Sequence, residues 1–418
     1  MAREVDVDVM VERGCGLDVH QAMVVACLLT GPPGRRPQKE IRSFRTMTAA
    51  LREMREWLQE NGCTHVAMES TGIYWQPVYA VLDGAFELVV GNTHHIKNVP
   101  GRKTDVKDSE WIANLLRHGL IRSSFVPAKP VRELRDLLRY RRKLVDACAA
   151  ERNRLLKLLE TANIKLSSVA SDVFGVSGMA MLRALIAGTV TPAEMAGLAR
   201  GRLRHKLAEL ELALEGCVED HHRYLLSVQL RRIEAAEYDI KELDARITAK
   251  LEPYDEQLQR LMRIPGVDWF VAAVIVAELG IDMTVFPSAA HAAAWVDICP
   301  GNYESAGKRN GGNIRKGNRH LKTALVTAAV AASRKTGSYL KDKYFRLRAR
   351  RGPLRAAVAV GHKILIAAYH MLATGAPFKD LGADHLDTAY RQRATRTLVR
   401  RLNRLGYKIA LIPTQARA

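Results

Sequence analysis

The feature that most constrains this chain is a change of hydrophobic period near residue 130. Before it, short apolar runs rich in β-branched residues alternate with turns and helical stretches; after it, apolar residues recur at steps of three, four and seven. Cys15 to Val19 and Met23 to Leu29 predict a hairpin, Glu40 to Arg45 a third strand, and Thr48 to Asn61 a helix carried by Leu51, Met54 and Leu58. His65 to Ser70 and Phe86 to Asn92 read as buried strands, and Asp108 to His118 as a helix stopped at Gly119. Strands followed by alternating helices and strands predict an α/β layer domain over residues 1–128.

Residues 129–263 form a second block. Val131, Leu134, Leu138, Val145, Cys148, Leu155 and Leu159 share one stripe, and a second runs from Leu226 through Leu230, Ile233, Ile240, Leu243, Ile247 and Leu251 to Leu261. These are heptad spacings, so two long helices are expected, taken as an antiparallel coiled-coil-like pair. Pairing between chains fits the same spacing. The Gly- and Ser-punctuated stretch from Ser167 to Arg202 reads as short helices inserted at the tip.

A third block, residues 264–380, is predicted mainly α. Ile264-Pro265-Gly266-Val267 ahead of the apolar helix Phe270 to Leu279 has the pattern of half a helix-hairpin-helix, in which amides at a Gly turn meet phosphate. A Gly- and Lys/Arg-rich loop from Pro300 to Arg319 follows, then an Ala-rich helix from Leu321 to Arg334. Residues 381–418 form a basic tail, read as an amphipathic or disordered arm on nucleic acid.

Charge narrows the partners. With 64 Lys and Arg against 44 Asp and Glu the chain carries +20, so a polyanion is expected. The longest apolar runs, Val271 to Leu279 and Ile364 to Ala368, fall short of the roughly 20 residues of a membrane span, and the start lacks a secretory pattern. A cytoplasmic protein with no membrane partner is expected. The six cysteines form no CxxC pair and read as buried free thiols.

Four acids stand where hydrophobic patterning does not ask for them. Asp18 ends the first strand between Leu17 and Val19, Glu69 closes the strand Val66-Ala67-Met68, and Asp105 and Asp108 share one face at a helix start. Helix-dipole complementarity alone would suit the last pair. Carboxylates brought within about 4 Å repel by roughly 4 kcal/mol per pair at an effective dielectric near 20. Such a cluster persists when divalent cations neutralise it, and oxygen-only ligands suit Mg²⁺ or Mn²⁺.

The words around these acids, GLDVH, MESTGIYW and GRKTDVKDSEWIA, resemble the DEDD (RuvC-like) transposases of bacterial insertion sequences, the IS-one-ten family. IPGV, CPGNYESAGKR and KGNRHLKTALV resemble its C-terminal transposase domain, so the likeness covers nearly the whole chain in order. The resemblance implies an RNase-H-like (RuvC-like) N-terminal domain with Asp18, Glu69, Asp105 and Asp108 as metal-binding acids, and Ser305 as the catalytic serine. Some relatives have Ser-Ser-Gly where this chain has Glu304-Ser305-Ala306-Gly307, leaving Ser305 the one serine of the loop and the role of Glu304 open. It further implies a composite RuvC-serine active site, donor and target DNA as substrates, a structured (bridge) RNA as guide, and a homo-oligomer, dimer or tetramer, in the prokaryotic cytoplasm at the nucleoid.

Read alone, the loop is a basic phosphate binder through Lys308, Arg309, Arg315, Lys316 and Arg319, with Gly266 as a backbone contact. A Walker A reading fails: five residues separate Gly301 from Gly307 and Arg309 stands where Ser or Thr is required. Two other classes use part of this set. A RuvC-like junction resolvase would use the acids with water as nucleophile, and an architectural protein would bind without cutting.

Overall fold

The computed structural model describes residues 10–33, 35–70, 72–92, 96, 108–299, 304, 305, 308, 309 and 317–410. Contacts divide the chain into two units, Met1–Pro127 and Ala128–Ala418.

In the first unit β1 (Arg13–Val19), β2 (Met23–Thr30) and β3 (Gln38–Arg45) form an antiparallel meander, followed by α1 (Thr48–Glu60), β4 (His65–Glu69), α2 (Trp75–Leu82), β5 (Glu87–Gly91) and α3 (Asp108–Arg117). Sheet order is β3-β2-β1-β4-β5, with β4 and β5 parallel to β1. This mixed sheet is compatible with the RNase-H-like expectation.

Side chains alternate across the sheet. Cys15, Leu17, Val66 and Met68 pack with Leu51, Met54 and Leu58 of α1 and Val78 and Leu82 of α2. On the other face Ala67 packs with Ile112, Leu115 and Leu116 of α3.

In the second unit α4 (Lys129–Thr161) leads into the short helices α5 (Leu166–Val169), α6 (Val176–Ala187), α7 (Pro192–Gly197) and α8 (Leu207–Leu214), and the chain returns in α9 (Asp220–Leu251). Ion pairs of Glu133 with Lys250, Arg141 with Asp244 and Arg152 with Glu237 show that α4 and α9 run antiparallel within one chain. The second heptad stripe was expected to be one helix as far as Leu261. Instead it breaks at Glu252–Tyr254 and resumes as α10 (Asp255–Leu261), because Pro253 lacks the N–H that a continuous helix needs.

After α10 come α11 (Trp269–Leu279), α12 (Ala289–Val296), the two-residue strands β6 (Glu304–Ser305) and β7 (Lys308–Arg309), α13 (Arg319–Ala332), α14 (Tyr339–Arg351), α15 (Pro353–Thr374) and α16 (His385–Arg404). The expected boundary at 263/264 falls inside this unit: Arg135 of α4 donates to the carbonyl oxygens of Ala277 and Glu278 at the end of α11. Helix α15 corrects the reading of apolar runs. By length and composition it could cross a membrane, because Arg355, His362 and Lys363 interrupt its sequence run without breaking the helix. Half of its apolar window is buried, with Ala356, Val360, Ile364 and Ala368 in the core. The basic tail is helical through α16.

The cysteine expectation also needs correcting. Cys15, Cys27, Cys63 and Cys148 are buried, but Cys217 is exposed and Cys299 partly so. Burial raises the Cys15 thiol and pushes Cys63 up to about 12.

Candidate functional site

Glycine at position 16 decides how the acids are placed. A Cβ there would lie 2.2 Å from the Ser109 carbonyl oxygen and 2.3 Å from the Ala113 nitrogen, so α3 lies directly on β1 where a side chain would otherwise stand. At Gly14 the nearest atom is Leu116 Cδ2, at 3.2 Å. Helix α3 therefore runs against β1 with its first turn toward the strand's C-terminal end.

Residues 14, 16 and 18 alternate onto that same face. On β4 Ala67 faces α3, so Glu69 does as well. The register Leu17↔Met68 sets Asp18 and Glu69 side by side at the ends of adjacent parallel strands, about 4.8 Å apart in backbone spacing. Asp108, exposed, is the first residue of α3, next to the Ser109 that touches Gly16. Three of the four predicted acids thus gather at one sheet end; Asp105 lies outside the described residues.

Asp18 is half-buried, and His20 Nε2 donates to its Oδ2 at 3.1 Å. Glu69 is also half-buried. The donor set is all oxygen and suits a hard divalent cation. The N-terminal turn of α3, with Asp108 and Glu110, begins at this end of the sheet.

The serine loop is described in part. Ser305 pairs with Lys308 and Glu304 with Arg309 in an antiparallel ladder. Arg315 and Lys316 lie outside the described residues, whereas Arg319 is exposed in the first turn of α13. Gly266, at φ +83°, is pressed on α13: a Cβ there would lie 2.2 Å from the Ala328 oxygen. Its presence is therefore required by packing, whatever its turn meets.

Sequence reading missed a buried hub in the second unit. Glu278, 2% exposed, accepts from Arg139 Nε and Nη2 at 2.8 Å each, pairs with Arg135 Nε at 3.0 Å, and accepts from Asn318 Nδ2 at 2.7 Å. Asn318 Oδ1 accepts from the Leu321 N–H and caps α13, so the loop's C-terminal root is tied to α4 and α11. The available signal was a lone acid in the helix WFVAAVIVAEL. Glu219, His221 and His222 also bring potential ligand atoms together, but His222 Nδ1 already accepts from the Glu219 N–H in a helix cap.

Comparison with known proteins covers both halves. Residues 15–164 match the DEDD transposase family of the IS110 type, and residues 258–345 match the family described as Transposase IS116/IS110/IS902. A putative transposase y4pF/y4sB of Sinorhizobium fredii is 28% identical over 187 residues, 41% of this chain and 47% of that protein. The chain thus spans about half the length of this relative. A probable family 20 transposase of Pseudomonas aeruginosa is 26% identical over 68% of this chain and 75% of its own length. The transposase for insertion sequence element IS1111A of Coxiella burnetii is 27% identical over 72% and 75% respectively. The candidate acids up to residue 108 and the serine loop both fall inside matched segments, and the chain belongs to the IS110 family of transposases.

Proposed function

We propose that this chain cuts and rejoins donor and target DNA for an insertion sequence, using Asp18, Glu69, Asp105 and Asp108 to hold Mg²⁺ or Mn²⁺ and Ser305 as nucleophile. The observation that carries the reading is the gathering of Asp18, Glu69 and the Asp108 end of α3 at one sheet end, with Gly16 shaped to allow it. The Coxiella burnetii relative, named as the transposase of an insertion sequence element, supports the same role.

A bound divalent cation would polarise the phosphodiester and neutralise charge developing on its oxygens. Asp18, Glu69, Asp105 and Asp108 would hold that cation through their carboxylate oxygens. Ser305 Oγ attacks phosphorus and gives up its proton. The P–O3′ bond breaks, leaving a 5′-phosphoserine and a free 3′-hydroxyl, and attack by another 3′-hydroxyl reverses the step and joins strands. Lys308, Arg309, Arg315, Lys316 and Arg319, with the turn at Gly266, hold backbone phosphates. A structured guide RNA is the third partner, the working form is a dimer or tetramer, and the reaction belongs in the cytoplasm at the nucleoid.

The test incubates the full chain with Mg²⁺, RNA from the element's flanks, and labelled donor and target DNA. Joined products and a covalent adduct are expected, the adduct lost in Ser305→Ala and all cleavage lost in Asp18→Asn. Hydrolysed ends with no adduct would replace this reading with that of a resolvase using water. Cleavage that survives EDTA would end the metal-dependent scheme.

A further inference from the structure

Beside the serine loop's root lies a cavity of about 320 Å³ between α4, α11 and α13, whose cations, Arg319 apart, the reaction above does not use. Arg139, Arg142 and Lys143 of α4 line one wall, Arg319 and His320 of α13 the other, and Phe270 and Val274 give it an apolar floor.

Four permanent cations face two carboxylates there, Glu278 and Asp146. Glu278 is already held by Arg135, Arg139 and Asn318, and Asp146 by Arg142 at 3.0 Å. Among the described residues Lys143 and Arg319 have no carboxylate within ion-pair distance. His320 is held below its usual value by burial and by the cations Arg139, Arg319 and Lys143, with Glu278 opposing them. It therefore stays neutral at neutral pH and offers hydrogen bonding without added charge.

Two carboxylates offset two of the four cations, so a surplus of positive charge, carried by Lys143 and Arg319, stands beside the apolar floor. The opposing wall begins at Asn318, fixed by its bond to Glu278, so the two cationic walls are held in register. We propose that this cavity binds a backbone phosphodiester of a polynucleotide, with Lys143 and Arg142 on one side and Arg319 and His320 on the other.

The inference rests on the nucleic-acid reading above and names a contact that shares only Arg319 with the loop. A strand seated here runs past the first turn of α13, one residue beyond the root of the serine loop.

The test measures binding of the full chain to duplex DNA and, separately, to single-stranded RNA over a series of salt concentrations. Each phosphate contact contributes about 0.9 to the slope of log affinity against log salt for duplex and about 0.7 for single strands. Arg142→Gln with Lys143→Gln is expected to lower the slope by one to two contacts' worth in at least one arm, and that arm identifies the polymer. Arg231→Gln with Arg246→Gln, two exposed cations on α9, serves as an equal change of charge elsewhere and is expected to move the slope much less. Thr323→Glu, which puts a negative charge at the cavity wall and keeps every cation, should weaken binding at least tenfold in the same arm. Equal effects of the α4 and α9 pairs, or no effect of Thr323→Glu, would overturn the proposal while polynucleotide binding itself stood. Absence of any polynucleotide binding by the parent chain would overturn both.

Discussion

Replacing Gly16 with alanine tests the construction of the acid site without touching an acid. The new methyl would stand 2.2 Å from the Ser109 oxygen, 2.3 Å from the Ala113 nitrogen and 2.9 Å from the Ala113 Cα, all backbone atoms. Carbon normally keeps about 3.5 Å from such neighbours. No rotamer change can relieve the clash, so α3 must withdraw from β1 by the order of 1 Å. Overpacking of this kind costs about 1–3 kcal/mol. Because α3 begins at Asp108, the same withdrawal pulls that carboxylate from Asp18 and Glu69, and a misplacement near 1 Å costs on the order of 100-fold in rate. Thermal melting and Mg²⁺-dependent DNA cleavage should both fall in Gly16→Ala. Gly197→Ala, at a helix end where a Cβ meets nothing within 4 Å, should leave both unchanged or melt slightly higher. If Gly16→Ala melted and cleaved like the parent, α3 would not be seated as described and the site's geometry would have to be abandoned.

Other outcomes follow from the second unit and the cysteines. Glu278→Ala strips the shared partner from Arg135, Arg139 and Asn318 and should cost about 3–5 kcal/mol, read as a lower urea midpoint. Glu278→Gln should cost less, since the amide can still accept from one guanidinium. His320 and His362 are both held below the usual imidazole value by burial, so the unfolded chain binds more protons below about pH 6.5. Stability is therefore full above that pH and falls as acid passes through the folded values. In melts from pH 7.5 to 5, His320→Gln should flatten part of this loss; an unchanged profile would refute the assignment. A maleimide at pH 7.5 should label Cys217 first and reach Cys15 and Cys63 only on unfolding, since both are buried and their thiols stay protonated.

Period and residue type made some features legible and left others hidden, for identifiable reasons. The strands of the first unit could be read because a half-buried sheet writes its alternation into local sequence, although β3 begins at Gln38, two residues before the apolar signal. Asp18 and Glu69 stood out because each interrupts that alternation at a strand end. Which face they share was not readable, because it depends on strand register and on a helix nearly 100 residues later. Gly16 carried a trace of that arrangement: glycine inside a strand weakens it unless another backbone needs the space. A lone Glu278 in an apolar helix carried an equal trace, since a carboxylate is seldom buried unless paired. Its partners come from 135, 139 and 318, so no local pattern could supply them. Both traces are single residues that local propensity disfavours, and each marks a place where distant backbone or charge meets the chain. The heptad stripes behaved in the opposite way. Their apolar pattern ran through Pro253 unbroken, because burial follows spacing, while helix continuity depends on the N–H that proline lacks. Reading function from such a chain therefore rests on residues that break the local rule, and Gly16 and Glu278 are where mutation should separate the acid site from the loop root.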